Sequence, residues 1–311
     1  MGQSIKEIPQ ISKDKFKIVG GNHAETEKLA EKSVSFWKEV ILRFSHNKLA
    51  IVGVVILVVV TLLAIFAPIF SPYSYREQLG VYNAPPSSKF WFGTDDLGRD
   101  VFVRVWVGAR ISLFIGITAA IIDLVIGVTW GAISGLIGGR LDDIMMRIAD
   151  VLTAVPYLLV VIILLVVLQP GLLPMIIALS ITGWVNMARI VRGEVLSIKN
   201  QEYVLAARTL GAGTKHIIMK HLIPNALGAI LVTMTLTIPT AIFTESFLSY
   251  LGLGVPAPMA SWGTMASEGN NALETAPWRL IFPAIFISVT MFALNAVGDG
   301  LRDALDPKLR K

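Results

Sequence analysis

The amino-acid sequence predicts an all-α fold, that of a polytopic membrane protein with six transmembrane helices. Hydrophobic residues make up 54% of the 311-residue chain and charged residues only 16%, whereas an average soluble domain is roughly one-quarter charged. The charged residues are concentrated at the termini and in a few connections, so the long segments between them are almost free of charge. The chain has no cysteine and only four histidines, which excludes disulfide and thiol chemistry and argues against a metal site.

The chain is predicted to begin with a cytoplasmic tail, residues 1–48, that contains an amphipathic helix. Between Val34 and Phe44 the apolar residues recur at helical spacing, and the charged residues lie away from that stripe. This pattern is typical of a helix that lies in the membrane interface and anchors the first span, and a regulatory role is the alternative. The stripe consists of Phe36, Trp37, Val40, Ile41 and Phe44.

Six apolar segments follow, each long enough to cross about 30 Å of hydrocarbon as a helix. The first lies too far from the N-terminus to be a cleavable signal peptide, and no small-residue cleavage motif follows it. The Pro170-Gly171 pair predicts a tight turn between the third and the fourth. The segments are Leu49–Phe70, Ile111–Ile137, Ile148–Leu168, Gly171–Ala188, Ala226–Leu251 and Trp278–Val297.

These segments divide the rest of the chain into a first transmembrane helix, an external loop, a five-helix core and a cytoplasmic C-terminal tail. These parts are residues 49–70, 71–110, 111–300 and 301–311. The distribution of lysine and arginine predicts that both termini are cytoplasmic, because all but six of the 27 basic residues then lie on that side. Most of the exceptions lie in the external loop, where aspartates are available to neutralise them. The exceptions are Arg76, Lys89, Arg99, Arg104, Arg110 and Arg279.

Small and ionisable residues within the predicted spans raise two further expectations. Gly127, Gly131 and Gly135 recur at helical spacing in the second span, and absent side chains let another helix approach closely, so we expect tight helix packing there. Asp123 and Glu245 lie at membrane depth, where an ionisable group costs several kcal/mol unless it is paired or hydrated. Each is therefore expected either to line a translocation path or to pair with a neighbouring helix.

The most distinctive segment is Gln201–Asn225, a polar and cationic stretch between the fourth and fifth spans. Its first half predicts a helix with Tyr203 and Leu210 on one face, the glycines at 211 and 213 permit a sharp reversal, and Pro224 predicts a change of direction before the next span. We therefore expect a helix–turn–helix projection on the cytoplasmic side. Small residues on this projection suit insertion into the cleft of a partner protein, and its basic residues suit an acidic rim around that cleft. The alternative is a solvated loop that only connects the two spans. The basic residues are Arg208, Lys215, His216 and Lys220.

The segment resembles the EAA loop of permease subunits of binding-protein-dependent ABC importers. That motif has an Ala-Ala pair, a Gly four residues later and a Pro thirteen residues after the Gly, and the chain meets this spacing. Leu205 stands where the general motif has an acid, and Glu202, one turn earlier, is the candidate for that role. The resemblance implies that the segment couples the chain to an ATPase. The implied coupling residues are Glu202, Ala206, Ala207, Arg208, Gly211 and Pro224.

The resemblance covers nearly everything after about residue 35 and narrows the family to the C-type permease subunits of oligopeptide and dipeptide importers. It implies the type I ABC importer permease fold, an oligopeptide substrate and a location in the bacterial plasma membrane. Dipeptides, nickel or another small solute of the same transporter family are the alternative substrates. The segments that carry it are FGTDDLGRDVFVRVWVGARIS at Phe92–Ser112, SFLSYLGLGVPAPMASWGTM at Ser246–Met265 and VGDGLRDALDPKLRK at Val297–Lys311.

The resemblance also implies partners. These are a homologous second permease subunit, two cytoplasmic ABC ATPase subunits and an extracellular or periplasmic peptide-binding protein, in addition to membrane lipid. ATP and Mg would be bound by the ATPase subunits, and no cofactor is expected in this chain. The sequence agrees with ATP binding on separate subunits, since it contains no Gly-x-x-x-x-Gly-Lys-Ser/Thr phosphate loop. The positive net charge follows from the cytoplasmic excess of basic residues, so no nucleic-acid partner is expected.

Two other classes of membrane protein are less consistent with the sequence. An ion-coupled secondary transporter predicts inverted repeats and interrupted helices around ionisable groups at the midplane, and no such repeat is visible. A membrane-embedded hydrolase predicts a Ser/His/Asp or two-metal arrangement, whereas the four histidines all lie on the predicted cytoplasmic side. We therefore expect a permease subunit with no enzymatic activity of its own.

Overall fold

The computed structural model describes residues 36–305. The predictions for the tails before Phe36 and after Leu305 lie outside these residues. Within them the chain is almost entirely helical, and β-structure is limited to one isolated bridge between Thr94 and Asp100, which confirms the all-α class. The helices are α1 Phe36–His46, α2 Lys48–Phe70, α3 Val101–Ile137, α4 Gly139–Ala154, α5 Tyr157–Leu168, α6 Leu172–Ile198, α7 Glu202–Thr209, α8 Thr214–Ile217, α9 Ile223–Leu248, α10 Trp262–Asn270 and α11 Trp278–Leu305.

The helix predicted before the first span is α1. Residues from Val40 onward belong to one compact unit. Within it, Val40 and Phe44 pack against Ala304 and Leu305 at the end of α11, whereas Ile41 remains exposed. Two residues of the apolar stripe that belong to this unit therefore pack against α11, and a third lies on its surface.

Five of the described helices are long and apolar enough to cross a membrane, and α4 and α5 together form a sixth candidate crossing. These two helices are bent by 78° at the break between them. The break contains Val155 and Pro156, and a residue before proline is driven towards extended backbone, as Val155 is. The third span, predicted as one helix over Ile148–Leu168, is thus two helices. The turn predicted at Pro170 and Gly171 lies between α5 and α6.

The second span is longer than the sequence indicated. α3 begins at Val101, whereas the predicted start was Ile111, so the connection before it ends at Asp100 rather than at residue 110. The Asp100 carboxylate caps the helix by accepting a 2.9 Å hydrogen bond from the backbone N–H of Phe102. Burial raises the pKa of this carboxyl to about 6, and its backbone hydrogen bonds act in the opposite direction. The early start was missed because two arginines interrupt the apolar pattern in the first turns.

The basic residues of the predicted external side are held by partners within this chain. Arg110 donates hydrogen bonds to the backbone carbonyls of Ala64 and Ile65 in α2. Three other arginines form ion pairs, one within the connection before α3, one between α3 and α10, and one between the connection and α11. We call this group the loop ion-pair cluster. These arginines therefore stabilise the fold, which explains why basic residues occur on the predicted external side. The pairs are Arg99–Asp95 at 2.7 Å, Arg104–Glu268 at 3.0 Å and Arg279–Asp96 at 2.9 Å.

The core of the protein is built around the crossing of α3 and α6. The glycines of α3 lie at this crossing, where a side chain would have no room. A Cβ at Gly127 would lie 2.6 Å from the Cβ of Met187, and a Cβ at Gly135 would lie 2.9 Å from the Cβ of Val195. Gly131 faces the backbone of α6. Because small residues let two helix backbones approach closely, these glycines serve packing within the chain.

The fifth span is the central part of one long helical rod. α8 continues into α9 through a π turn at Ile218–Leu222, and a second π turn at Ser249–Leu253 ends the rod. The sequence predicted a change of direction at Pro224, and this prediction is wrong. Proline lacks the N–H of a regular helical bond, but the π turn directly before it shifts the hydrogen-bond register, so the helix accepts Pro224 in its first turn.

Candidate functional site

The segment 201–225 folds as a helical hairpin made of α7, a tight turn and the start of the long rod. The backbone N–H groups of Gly211 and Ala212 donate to the last carbonyls of α7 at 2.9 and 3.0 Å, the pattern of a Schellman motif. Gly211 has a φ of +85°, a left-handed value that favours glycine, whereas Gly213 has a φ of −71° and does not require it. Of the two glycines, only Gly211 is therefore needed for the reversal.

One side of the helical hairpin is anchored in the protein core. Val204 of α7, Ile217 of α8 and Leu222 of the π turn are buried and share one apolar cluster with the ends of α3 and α6. Burial of a large aliphatic side chain contributes about 1.5–3 kcal/mol, so the hairpin is held firmly against helices that cross the membrane. The members from α3 and α6 are Ala132, Leu136, Met187, Val191 and Val195.

The opposite side of the helical hairpin is exposed and partly apolar. Leu210 is 87% exposed, more than any other large apolar residue among residues 36–305. Ala206 and Tyr203, one and two turns before it, are also exposed, and Ala207 is half-buried. The face predicted for this helix thus points away from the protein. An apolar stripe of this kind, rimmed by polar residues, is typical of a surface that another protein covers.

Basic side chains surround this stripe. Arg208, Lys215, His216 and Lys220 are all exposed, and within residues 36–305 the arginine and the two lysines form no ion pair. Glu202 lies exposed in the first turn of α7, where the positive end of the helix dipole favours a carboxylate. The exposed face is therefore an apolar stripe with a predominantly cationic rim.

An ion-pair network lies beside the helical hairpin and ties α3, α4 and α6 together. The Arg192 guanidinium donates two hydrogen bonds, of 2.6 and 2.7 Å, to the Asp142 carboxylate, a bidentate geometry that is among the strongest polar contacts in proteins. Ser134 donates a further bond of 2.5 Å to Asp142. Lys199 donates to the carbonyl of Gly135 at 2.9 Å. These contacts stabilise the helix ends on which the hairpin rests.

A cavity of about 360 Å³ lies among α3, α5, α6, α9 and α11. One wall is formed by threonines of α9, whose spacing places them on the same side of the helix. Its charged lining residues are Asp123 of α3, which is buried, and Arg302 of α11, which is exposed. The threonines are Thr233, Thr237, Thr240 and Thr244.

Asp123 faces this cavity with one carboxylate oxygen unpaired. The residue is 5% exposed, and its Oδ1 atom has no hydrogen-bond partner among the described residues. Gly183 of α6 makes room for the carboxylate, because a Cβ at that position would collide with it. An unpaired polar atom at this depth is costly, so the arrangement suits a polar ligand or water in the cavity.

Glu245 has different surroundings and does not line the cavity. It is fully buried and accepts hydrogen bonds from Ser112 at 3.1 Å and from Ser249 at 2.8 Å. Ser112 also accepts a bond of 3.2 Å from the backbone N–H of Trp262. Of the two expectations for Glu245, pairing with a neighbouring helix describes its position. That Glu245 lines a translocation path stays a prediction, although its carboxylate already has two serine partners within the chain.

Two features of the site were not identified from the sequence. The threonine wall has a visible signal, since polar residues recur at helical spacing within an apolar span. The Asp142–Arg192 pair has none, because its members lie far apart in the chain and only the fold brings them together. Within residues 36–305 no cluster of His, Asp or Glu is arranged to hold a metal ion.

The spans, the cavity and the hairpin together define a membrane permease, and comparison with known proteins identifies its family. Residues 127–311 match the family described as binding-protein-dependent transport system inner membrane component, and residues 35–86 match the N-terminal TM domain of oligopeptide transport permease C. The first match covers more than half of the chain, so the chain belongs to that inner-membrane component family. It is a multi-pass permease subunit of an ABC importer.

Similar proteins cover almost the whole chain. The oligopeptide transport system permease protein OppC of Bacillus subtilis (strain 168) is 66% identical over 306 residues, 98% of this chain and 100% of the relative. The dipeptide transport system permease protein DppC of the same organism is 55% identical over 97% of this chain and 95% of its own length. OppC of Escherichia coli (strain K12) is 42% identical over 92% of this chain and 95% of its own length. All are named as permeases, which agrees with a non-enzymatic subunit.

A solved structure supports the fold independently. A chain of the MetNI methionine ABC transporter, in an inward facing conformation, aligns with a TM-score of 0.54 and 18% identity. The alignment covers 66% of this chain and 96% of that chain. At this identity the similarity concerns the fold alone, and it confirms the type I ABC importer permease fold that the sequence resemblance implied.

Proposed function

We propose that this chain is the C-type permease subunit of an oligopeptide importer. A homologous second permease subunit forms the translocation path with it, and an extracellular or periplasmic binding protein delivers the peptide. Two cytoplasmic ABC ATPase subunits bind ATP and Mg and supply the energy. The 66% identity to a permease named for oligopeptide transport supports this substrate. Dipeptides are the second candidate, because a relative at 55% identity is named for them.

The observation that carries the proposal is the exposed face of the helical hairpin. Leu210 and the small residues Ala206 and Ala207 fit a cleft in an ATPase subunit, and the cationic rim with Arg208 fits acidic residues around that cleft. Gly211 and Pro224 act indirectly, by shaping the turn and the start of α9. Glu202 takes the place of the acid that the general motif has one turn later. These residues are the proposed coupling residues.

The long rod supplies the mechanical connection from the helical hairpin to the cavity. Its first residues belong to the hairpin, and its middle carries the threonine wall. A helix rises about 1.5 Å per residue, so Thr214 and Thr244 lie on the order of 45 Å apart along one element. A displacement imposed at the hairpin therefore reaches the cavity wall directly. The π turn at 218–222 is the place where this motion can change the angle of the rod.

The proposed orientation has both termini, the helical hairpin and the ends of α3 and α6 in the cytoplasm. The excess of lysine and arginine on that side supports it, and the loop ion-pair cluster accounts for three of the six exceptions. In this orientation the cavity at Asp123 lies between the binding protein and the ATPase subunits. We include Asp123 and the threonine wall in the translocation path.

Reconstitution tests the proposal. The chain is placed in proteoliposomes with its companion permease, the ATPase subunits and the binding protein, and uptake of labelled peptides of two to five residues is measured with and without ATP. We expect uptake that requires ATP and extends to peptides longer than two residues. Uptake restricted to dipeptides would favour the second candidate. Uptake driven by an ion gradient in the absence of ATPase subunits would refute the ABC assignment.

A further inference from the structure

Most polar side chains of the cavity offer hydrogen-bond acceptors, and the two that carry N–H donors, Asn186 and Arg302, are both exposed. The hydroxyls of Thr233, Thr237, Thr240 and Thr244 each donate to a backbone carbonyl one turn earlier in the rod, at 2.7 to 3.0 Å. The Tyr157 hydroxyl likewise donates to the carbonyl of Leu179 at 3.4 Å. Since a hydroxyl has one hydrogen to donate and two lone pairs, these hydrogen bonds leave lone pairs of the oxygens for a ligand in the cavity.

Asp123 adds a carboxyl group to this wall of acceptors. The residue lines the cavity, its buried Oδ1 atom has no hydrogen-bond partner among the described residues, and Gly183 leaves the space that the carboxyl group occupies. The basic lining residue, Arg302, is exposed. The buried part of the cavity therefore offers acceptors and a carboxyl group to whatever enters it.

We propose that this cavity binds the protonated α-amino group of the transported peptide, with Asp123 as its counter-ion and the threonine oxygens as further acceptors. An ammonium group has three donors and no acceptor, which complements the lining. A carboxylate or phosphate would meet mainly acceptors in the buried part, because the lining residues with N–H donors, Asn186 and Arg302, are exposed. The volume of about 360 Å³ is that of a small-molecule pocket rather than of a bare ion site. The inference rests on the proposed import of peptides.

The test compares two peptides of equal length in the reconstituted transporter. One tripeptide has a free α-amino group, and its des-amino analogue replaces that group by hydrogen. The ratio of their ATP-driven uptake rates is measured for the wild type and for Asp123→Asn. The same binding protein is used throughout, so its own preference cancels when the ratios are compared. We expect the ratio to fall about tenfold in Asp123→Asn, as for loss of a charge-assisted hydrogen bond.

Three further variants make the result specific. Asp123→Glu retains the carboxylate and should keep the wild-type uptake ratio. Asn186→Ala removes an uncharged polar group from the same cavity and should also keep that ratio. Thr237→Val should lower the ratio by roughly twofold. Asp123→Ser replaces Asp123→Asn if the latter does not assemble with its partners. Assembly of every variant is checked by co-purification of the subunits.

The outcomes separate the inference from the function on which it rests. A lower ratio in Asp123→Asn that Asp123→Glu restores would support the ammonium site. An equal loss of uptake for both peptides would overturn it and assign Asp123 a structural role, while leaving peptide import intact as the function. Absence of ATP-driven peptide uptake in the wild type would overturn both.

Discussion

Two cationic regions of this chain use their basic residues differently. In the loop ion-pair cluster, Arg104 is buried and pairs with Glu268 at 3.0 Å, and Arg279 pairs with Asp96 at 2.9 Å. In the helical hairpin, Arg208 and Lys215 are exposed and form no ion pair within residues 36–305. Charges that are paired within the chain stabilise its fold, whereas unpaired charges around an exposed leucine are available to a partner. The number of basic residues alone does not distinguish the two cases.

The largest effect is expected from a change of backbone conformation in the helical hairpin. Proline fixes φ near −65°, which is incompatible with the φ of +85° at Gly211, so Gly211→Pro distorts the turn that presents Leu210. We expect loss of ATP-driven uptake with normal membrane insertion. Insertion is measured by membrane fractionation and uptake in proteoliposomes.

Gly213→Pro is the matched control for this variant. Gly213 lies two residues further along the same turn, and its φ of −71° already suits proline. Uptake should therefore stay within about twofold of the wild type. Wild-type uptake in Gly211→Pro would show that the shape of the hairpin is unimportant for coupling.

The second largest effect separates the two cationic regions by stability. Arg104→Ala removes a buried guanidinium that pairs with Asp95 and with the part-exposed Glu268, and loss of a hydrogen bond to a charged group costs about 1.5–3 kcal/mol. The apparent unfolding temperature of the purified complex should fall clearly. Lys215→Ala, on the exposed rim, should change the free energy of unfolding by less than about 0.5 kcal/mol. Equal destabilisation by both variants would remove the distinction between the regions.

A third prediction contrasts two leucines of the helical hairpin. Leu210 is 87% exposed and Leu222 is fully buried. Leu210→Ser should weaken ATPase binding about tenfold, since it removes an apolar anchor from the interface, and leave stability unchanged. Leu222→Ala should instead destabilise the chain by about 2–5 kcal/mol. Binding is measured by titrating detergent-solubilised permease with ATPase subunits, and stability is measured by a thermal melt. A loss of stability in Leu210→Ser together with a loss of ATPase binding alone in Leu222→Ala would invert the assignment of the two faces.

The smallest effect is expected for the charged rim. Lys215→Ala and Lys220→Ala should each lower the association rate with the ATPase subunits by roughly two- to threefold at low salt. The difference from the wild type should shrink as ionic strength rises, because salt screens exposed charges. Association is followed by surface-immobilised binding kinetics. A salt-independent effect would argue against an electrostatic contribution from this rim.

The sequence was most informative where apolar periodicity and short-range motifs determine structure. The all-α class and the hairpin between the fourth and fifth spans follow from these signals. It was misleading at Pro224, where a π turn lets the helix continue. It was also misleading at the start of α3, where Arg104 is buried in ion pairs and Arg110 donates to backbone carbonyls, yet both resemble loop residues in the sequence. Both errors have the same physical origin. A proline or an arginine looks like the end of a helix in the local sequence, but the folded backbone or a distant partner satisfies its hydrogen-bonding needs.

The two carboxylates at membrane depth show what sequence cannot provide. Asp123 and Glu245 look alike in the sequence, and each was expected either to line a path or to pair with a helix. The structure gives Glu245 two serine partners and leaves an oxygen of Asp123 unpaired beside a cavity. Their difference is decided by residues that are distant along the chain, such as Ser112 and Gly183, so it depends on the fold.

The central claim, that the exposed face of the helical hairpin receives the ATPase, can be tested directly by cross-linking. The chain contains no cysteine, so Leu210→Cys introduces the only thiol of the permease subunit, and Tyr82→Cys does the same in the connection before α3. Leu210→Cys should cross-link to an ATPase subunit and resist a membrane-impermeant maleimide added outside, whereas Tyr82→Cys should react with that reagent. Labelling of Leu210→Cys from outside, with no cross-link to the ATPase, would contradict the account.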